Sequence, residues 1–356
     1  MGNTATRCYT TVAAVKSDVG FAGPELDPPI LRNIKAATQH TENILSGRRF
    51  IPETATKLYR WPSRNGLGGY TLKLPDDDLL AIATDGLKTK AQDTTPTTIA
   101  ATDFFLEPTN DPPYNRIEID LSSSAVFESG DTPQRSISVL GRWAYCEDTV
   151  TAGALAEADD GTETALDVSD SSLIDVGHTI LIGTEAMFVS GKTLKDTTAN
   201  TGAAMLKDKA GTTITLAAGH GALLKAGEVI TIDSERMLVE SISTDTLAVE
   251  RAYDGSVLAT HANPSDVYAP RTLTVVRAVN GTTAAAHDDL AAIVKYAPPA
   301  DIEEYCRARA IFHHEAGKSG WTGVIGGSEG GAVETKGFNL WAMEKALKAK
   351  YGKVGV

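Results

Sequence analysis

The sequence contains few cysteines and no long apolar run. Its three cysteines, Cys8, Cys146 and Cys306, lie far apart, and none is part of a CxxC pair. This argues against a disulfide framework and against a cysteine-ligated zinc site, and it suits a reducing compartment. No segment approaches the roughly 20 consecutive apolar residues of a membrane-spanning helix, and the first residues lack the apolar stretch of a signal peptide. We therefore predict no membrane partner.

Positive charge is also scarce. The chain has 33 Lys and Arg residues against 46 Asp and Glu residues, a net charge of −13, and residues 150–297 alone carry a net charge of −10. Tight wrapping around nucleic acid requires clustered Lys and Arg, which argues against that function. A neutral or acidic surface could still line a channel through which DNA slides. Because 42% of the residues are hydrophobic, the chain can build a folded core.

The stretch HHEAGKSGWTGVIGGSEGG at 313–331 resembles two kinds of site without satisfying either. A phosphate-binding GxxxxGK[ST] loop needs glycine at position 312, which is Phe312, and it needs a preceding strand, where this sequence reads as helix. His313 and His314 are adjacent, whereas a zinc-binding helix places its histidines at i and i+4. We predict no cofactor, no metal and no enzymatic activity. The remaining interpretation is a helix that ends near Gly317, followed by a glycine-rich tether.

Helix signals near both ends and strand signals between them predict an α+β chain. Asp27 and the prolines that follow it suit the first turn of a helix, and Gly47 follows the predicted end of that helix. A second helix is predicted from Asp301, and a terminal one over Phe338–Tyr351. The dipeptide Asp85-Gly86 is predicted to lie in a turn between strands. The predicted strands cover residues 56–61, 70–74, 79–83, 104–106, 116–120 and 136–144.

Two internal repeats indicate a nested pair of β-modules. Residues 161–189 repeat at 211–239 with ten of 29 positions identical, and residues 246–261 repeat at 272–287. The different offsets, 50 and 26 residues, predict an inner module (211–268) set into a loop of an outer module, which is formed by 161–194 and 271–297. We predict hairpin turns at Asp254-Gly255 and Asn280-Gly281, and turn-stabilising roles for the equivalent His261 and His287.

Several segments, in order, resemble one protein family. They are YTTVAAVKSDVG, ILRNIKAATQHTENILSGRRFIPE, YRWP, LPDDDLLAIATDGLK, PPYNRIEI, ISVLGRWAYCED and YAPPADIEEYCRARAIFHHE. Together they resemble the head-to-tail connector (adaptor) proteins of tailed bacteriophages. The resemblance covers residues 1–147, 298–316 and, through VVRAVNGTTAAAH, 271–297. In that family a tGxWGY-like segment is closely followed by PPadI, whereas here the repeats separate GRWAY (141–145) from PPADI (298–302).

The resemblance implies a domain organisation and a structural role. Residues 1–147 and 298–316 would form a small helical connector core with short strands, 148–297 a β-rich insertion, and 317–356 a glycine-rich tether with a portal-docking segment. Such proteins form rings, commonly dodecamers, that bind the portal protein in the virion neck, and tail or stopper proteins assemble on them. They assemble in the host cytoplasm, and DNA passes through the lumen. The contacts of the insertion, with the capsid or otherwise, stay open.

The tether and terminal segment contain the candidate docking residues. Apolar side chains on a flexible arm make good anchors when a partner pocket receives them. Phe338 and Trp341 could equally pack against the chain's own helices. The alternative function is a virion decoration or adhesin-type binding protein that uses the β-repeats, although Phe188, Tyr253, Tyr268 and Tyr296 are a poor supply of aromatics for sugar stacking. The anchor candidates are Trp321, Val324, Ile325, Phe338, Leu340 and Trp341.

Overall fold

The computed structural model describes residues 7–20, 22–62, 69–75, 77–318, 324–325, 333–334 and 339–353. The fold is α+β, as predicted, with its helices near the two ends of the chain. No helix among these residues has both the length and the apolar character that crossing a membrane requires. The helices are α1 (Val12–Val19), α2 (Asp27–Ile44), α3 (Ala300–Lys318) and α4 (Leu340–Tyr351).

Nineteen strands are present among the described residues, and they form four sheets. The strands are β1 (Glu53–Tyr59), β2 (Thr71–Lys73), β3 (Leu79–Thr89), β4 (Thr97–Thr98), β5 (Phe104–Glu107), β6 (Arg116–Ile119), β7 (Ile137–Trp143), β8 (Thr149–Ala154), β9 (Ala165–Asp167), β10 (Thr179–Ile182), β11 (Glu185–Asn200), β12 (Thr213–Thr215), β13 (Val229–Ile232), β14 (Glu235–Ser243), β15 (Thr246–Glu250), β16 (Asp266–Val276), β17 (Ala292–Tyr296), β18 (Val324–Ile325) and β19 (Val333–Glu334).

The first two helices begin and end where the local sequence favours it. The Thr11 hydroxyl accepts a hydrogen bond from the Ala14 amide at 3.2 Å and caps α1. Gly20 ends α1 in the left-handed conformation, with φ 65°. Helix α2 carries proline in its first turn and buries one face, which includes Ile30 and Ile34. The apolar spacing therefore predicted both the helix and its buried face.

A four-stranded sheet (β1-β7-β3-β4) and a three-stranded sheet (β2-β6-β5) enclose one core around Trp143. The Trp143 indole donates to the Ala55 carbonyl at 2.9 Å, so this large side chain is buried with its polar atom bonded. The predicted turn at Asp85-Gly86 is wrong. The dipeptide lies inside β3, where the pairing with β7 shifts register between Ile82 and Leu87 and Asp85 adopts φ 54°. A bulge takes the place of the turn.

The large sheet contains ten strands in the order β12-β15-β14-β13-β16-β11-β10-β17-β8, with β9 paired to β16. All of its pairings are antiparallel. Strands β11 and β16 run side by side through two separate hydrophobic cores: Met187 and Leu273 lie in one, and Ala199 and Val267 in the other. Residues of 179–189 and 273–276 thus share one sheet and one core. The nested arrangement requires this, because both segments are assigned to the outer module.

The outer module shares a third core with the helices. Phe188, which is fully buried, lies in the same apolar cluster as Val12, Ile30 and Ile34. The Val12 amide also donates to the Val176 carbonyl at 3.0 Å. The predicted boundary between residues 147 and 148 therefore separates two sheets, but the core that contains Phe188 includes residues from both sides of it. The insertion is packed directly on the helical core.

Candidate functional site

The terminal helix α4 packs on the chain's own core. Leu340, Leu347 and Tyr351 are buried in a cluster that includes residues of α2 and α3 and the segment between α2 and β1. The Tyr351 ring lies edge-on to Phe50 and to Tyr145, with 5.2 Å between ring centroids in each case. These contacts hold the C-terminal helix on the body of the protein.

Polar bonds fix both ends of α4. Near its start, Glu344 accepts hydrogen bonds from the Tyr305 hydroxyl at 2.6 Å and from His40 at 3.1 Å. Burial alone would raise the pKa of Glu344, but these bonds outweigh it, so the pKa is lowered. At its end, Arg48 donates to the Tyr351 carbonyl at 2.6 Å and the Tyr351 hydroxyl donates to Asp301 at 2.8 Å.

The structure separates the predicted docking residues rather than bringing them together. Trp321 and Phe338 lie outside the described residues. Val324 and Ile325 form β18, which pairs with β19. Leu340 is only 9% exposed and contributes to the core, so in this structure it is not available as an anchor. Trp341, in contrast, is 72% exposed, with the Lys345 ammonium 5.5 Å from the centre of its ring.

The histidines of 313–331 do not assemble a metal site among the residues that can be described. Helix α3 continues to Lys318, one residue past the predicted end at Gly317, and His314 is buried within it. No group of three or more His, Cys, Asp or Glu side chains suited to a metal ion occurs in the described part of the chain.

A buried, fully bonded polar cluster lies in the inner module, around Glu235. This carboxylate is fully buried and accepts two hydrogen bonds from Arg251, both at 2.7 Å. The amides of Ala252 and Ala259 donate to it at 3.0 and 2.9 Å, and the His261 ring bonds it at 2.9 Å. Burial would raise the pKa of Glu235, but these bonds outweigh it and lower the pKa to about 2.

The outer module contains the same cluster in equivalent residues. Glu185 accepts from Arg277 at 3.1 and 2.6 Å, from the amides of Ala278 and Ala285, and from His287 at 3.1 Å. Glu185 and Glu235 are 50 residues apart, whereas the arginines and histidines are 26 apart. We call each cluster a node. In each node the glutamate comes from a strand of the repeat with the 50-residue offset. The arginine and the histidine come from the repeat with the 26-residue offset. Each node therefore joins the two kinds of repeat.

Each node fixes a loop whose tip contacts the helical core. The tips, Tyr253–Gly255 and Val279–Gly281, are short 3₁₀ turns with positive φ, so the predicted hairpin turns are wrong. In the inner tip, Asp254 accepts from the Gly23 amide at 2.9 Å and pairs with Lys16 at 2.8 Å. In the outer tip, Val279 is buried among α1 and α2 residues. Both modules are therefore attached to the helices by the same structural element.

We expect Gly281→Ala to destabilise the protein more than Gly255→Ala does. Both glycines adopt φ 75°, which costs an alanine about 1–2 kcal/mol. At Gly281 a Cβ atom would also overlap the Thr54 carbonyl oxygen, so we expect a loss of about 2–3 kcal/mol. Urea unfolding of the two variants provides the comparison. Equal losses would show that the outer tip can shift away from Thr54 without cost.

His178 and Glu228 occupy equivalent positions and make equivalent bonds. His178 Nδ1 accepts from the Asp175 amide at 2.9 Å, and Glu228 Oε2 accepts from the Lys225 amide at 3.0 Å. Burial, with smaller contributions from Lys295 and Lys192, lowers the pKa of His178 to about 3. His178 is therefore neutral in the folded protein at pH 5.

We predict an acid-sensitive stability contribution from His178. Below its ordinary pKa of 6.5 the unfolded chain takes up a proton that the folded chain does not, so stability falls as the pH decreases from 6.5 towards 3. Between pH 7 and pH 5 the loss should be about 1–2 kcal/mol greater in the wild type than in His178→Gln, whose side chain does not titrate. Urea unfolding at the two pH values measures it. Identical pH dependence in both proteins would contradict the assignment.

The repeats carry a sequence signal for the nodes that no known motif describes. Glu, Arg and His are identical between the repeats at each node position, whereas the other charged positions of the aligned repeats differ. Searches against protein-family models, curated proteins and solved structures found no match for this chain.

Proposed function

We propose that this chain is a structural virion neck protein: a ring-forming head-to-tail connector that docks on the portal and extends the DNA channel. One observation supports it most directly. Described residues of the segments that carry the resemblance, 1–147 and 298–316, meet in one core cluster although the repeats separate them. Tyr145 of the GRWAY segment and Ile302 of the PPADI segment lie in the same core cluster, and the Thr41 hydroxyl lies 3.0 Å from Cys306 Sγ.

The proposal places portal docking mainly in the segment before α4, because α4 itself is packed on the core. Helix α3 ends at Lys318 and α4 starts at Leu340, and both are packed on the core. The intervening residues 319–339 contain Trp321, Val324, Ile325 and Phe338. In the proposal, this segment reaches the portal while its two ends stay anchored, and tail or stopper proteins assemble on the opposite side of the ring. The free energy gained by burying the anchor side chains must offset the conformational entropy that a glycine-rich segment loses when it becomes ordered.

The experiment replaces residues 319–338 with a Gly-Ser linker of equal length and leaves α4 intact. We expect this variant to keep its folded stability and to lose capture by purified portal protein. A matched control replaces the exposed loop residues Lys207–Ala210 with Gly and Ser. Undiminished portal capture by the linker variant would contradict the docking role, and failure of the wild type to bind portal protein would contradict the proposed function.

The β-repeats give no comparable support to an adhesin. Sugar-binding sites stack rings on exposed aromatic side chains. Of the aromatic residues considered for this purpose, Phe188 is fully buried under the helices, and Tyr253, Tyr268 and Tyr296 are half-buried.

A further inference from the structure

The outward face of α4 forms a basic stripe. Trp341, Lys345 and Lys348 lie at i, i+4 and i+7, so they share one helix face, and all three are exposed. A neighbouring face of the helix is buried through Leu347 and Tyr351. The stripe is therefore held in a fixed position on the body of the protein. In a chain with a net charge of −13, it is a local concentration of positive charge beside a large exposed aromatic ring.

An acidic patch of opposite character lies at the end of the outer module. Backbone bonds between Asp159 and His287, at 2.8 and 2.9 Å, place segments 157–163 and 286–290 side by side. Leu290 is 71% exposed there. The charged members of the patch are all exposed, and none forms an ion pair with a described residue. They are Glu157, Asp160, Glu163, Asp288 and Asp289.

Crowding of like charges adds to the case that this patch accepts a cationic partner. The carboxylate of Asp167 contributes most to the raised pKa of Glu157, Glu163 adds a small increase, and the Lys195 ammonium opposes both. An approaching ammonium group would relieve that repulsion. Exposed ion pairs are individually weak, so the apolar contact available between Trp341 and Leu290 would supply much of the binding energy.

We propose that the basic stripe of one copy docks on the acidic patch of a neighbouring copy; this inference rests on the proposed ring-forming function. The two surfaces have complementary charge, and each includes one exposed apolar side chain, Trp341 on the stripe and Leu290 on the patch. They belong to different elements, α4 and the loops of the outer module. The contact is therefore heterologous, with each copy using one surface of each kind. Repeated around an axis, a heterologous contact generates a closed ring when its rotation closes.

A charge-swap experiment on the full chain tests the docking. Lys345→Glu/Lys348→Glu is expected to lower the self-association constant at least about ten-fold in sedimentation velocity, because it places acids against acids. Asp288→Lys/Asp289→Lys should weaken self-association similarly by placing lysines against the stripe. Mixing the two variants, or combining the four changes, should restore association to within about three-fold of the wild type. Raising the salt concentration to 1 M should weaken the wild-type complex.

Matched controls separate this contact from general charge and folding effects. Lys207→Glu/Lys209→Glu makes the same change in net charge on the exposed inner module and should leave association unchanged. Thermal unfolding checks that each variant folds. The inference is overturned if the wild type stays monomeric, if the stripe variant associates normally, or if the swapped charges do not restore association. It is also overturned if Trp341→Ala abolishes portal capture while self-association stays intact. If the swapped charges restore self-association but the wild type does not bind portal protein, the docking contact between copies is supported and the neck function is rejected.

Discussion

Replacing Glu235 with Gln is expected to lower the free energy of unfolding by about 3–5 kcal/mol, which is the usual cost of removing one member of a buried ion pair. The Arg251 side chain is 1% exposed and the Glu235 side chain is fully buried. Glutamine has nearly the same shape, so the change leaves a guanidinium charge without its counter-charge rather than leaving a cavity. It also presents an amide NH₂ group to Arg251 or to the Ala259 amide, both of which are donors.

The equivalent substitution Glu185→Gln should cost less than Glu235→Gln. Arg277 also donates to Asp159, at 2.7 and 2.6 Å, so one carboxylate remains beside the guanidinium. Arg251 has no second carboxylate among its described bonds; its other partners are the carbonyls of Leu206 and Ala259. Urea unfolding of the two variants, with the exposed Glu240→Gln as control, gives the comparison. Equal losses for Glu235→Gln and Glu240→Gln would show that the node is not a source of stability.

The nodes explain how two distant chain segments form one outer module. Glu185 and Arg277 are 92 positions apart, and the whole inner module lies between them. Closing such a loop costs conformational entropy, although the cost grows only slowly with loop length. The paired strands β11 and β16 and the node together hold the ends of that loop. The inner module can thus interrupt the outer one without disrupting its core.

Sequence periodicity predicted the elements whose bounds are set by the local sequence. Helix α2 and the strands β1, β2, β5, β6 and β7 lie within a few residues of their predicted bounds, since apolar spacing and turn residues determine them. Periodicity failed at Asp85-Gly86, because three extra residues of β3 bulge out of the ladder while the neighbouring strand β7 supplies the pairing on both sides.

The two tips show a different limit of local reasoning. Asp-Gly and Asn-Gly do adopt positive φ at 254–255 and 280–281, which is the conformational preference that suggested hairpins. The strands that flank these dipeptides do not pair with each other: β15 pairs with β14 and β12. What determines the loop is the buried node beneath it and the helical surface above it, and both come from distant parts of the sequence.

The terminal helix carries the second large effect. Tyr351→Ala is expected to destabilise the protein by about 3–5 kcal/mol, the range for removing a buried aromatic side chain. The residue is 2% exposed and packs on Phe50 and Tyr145. Tyr351→Phe keeps the ring and loses the hydrogen bond to Asp301, so its cost should be about 1 kcal/mol. Trp341→Ala, on the exposed face of the same helix, should change stability by less than about 0.5 kcal/mol.

These three variants together distinguish a core helix from a free docking arm. If Tyr351→Ala unfolds at the same denaturant concentration as Trp341→Ala, α4 is not held on the core in solution. If the predicted order holds, removing residues 317–356 would expose Phe50, Leu45 and Ile302 to water, because α4 covers the cluster to which they belong. Loss of function after such a truncation would then report an unstable core as much as a missing tether. Exchanging only 319–338 avoids that ambiguity, since both helices that bound the segment remain in place.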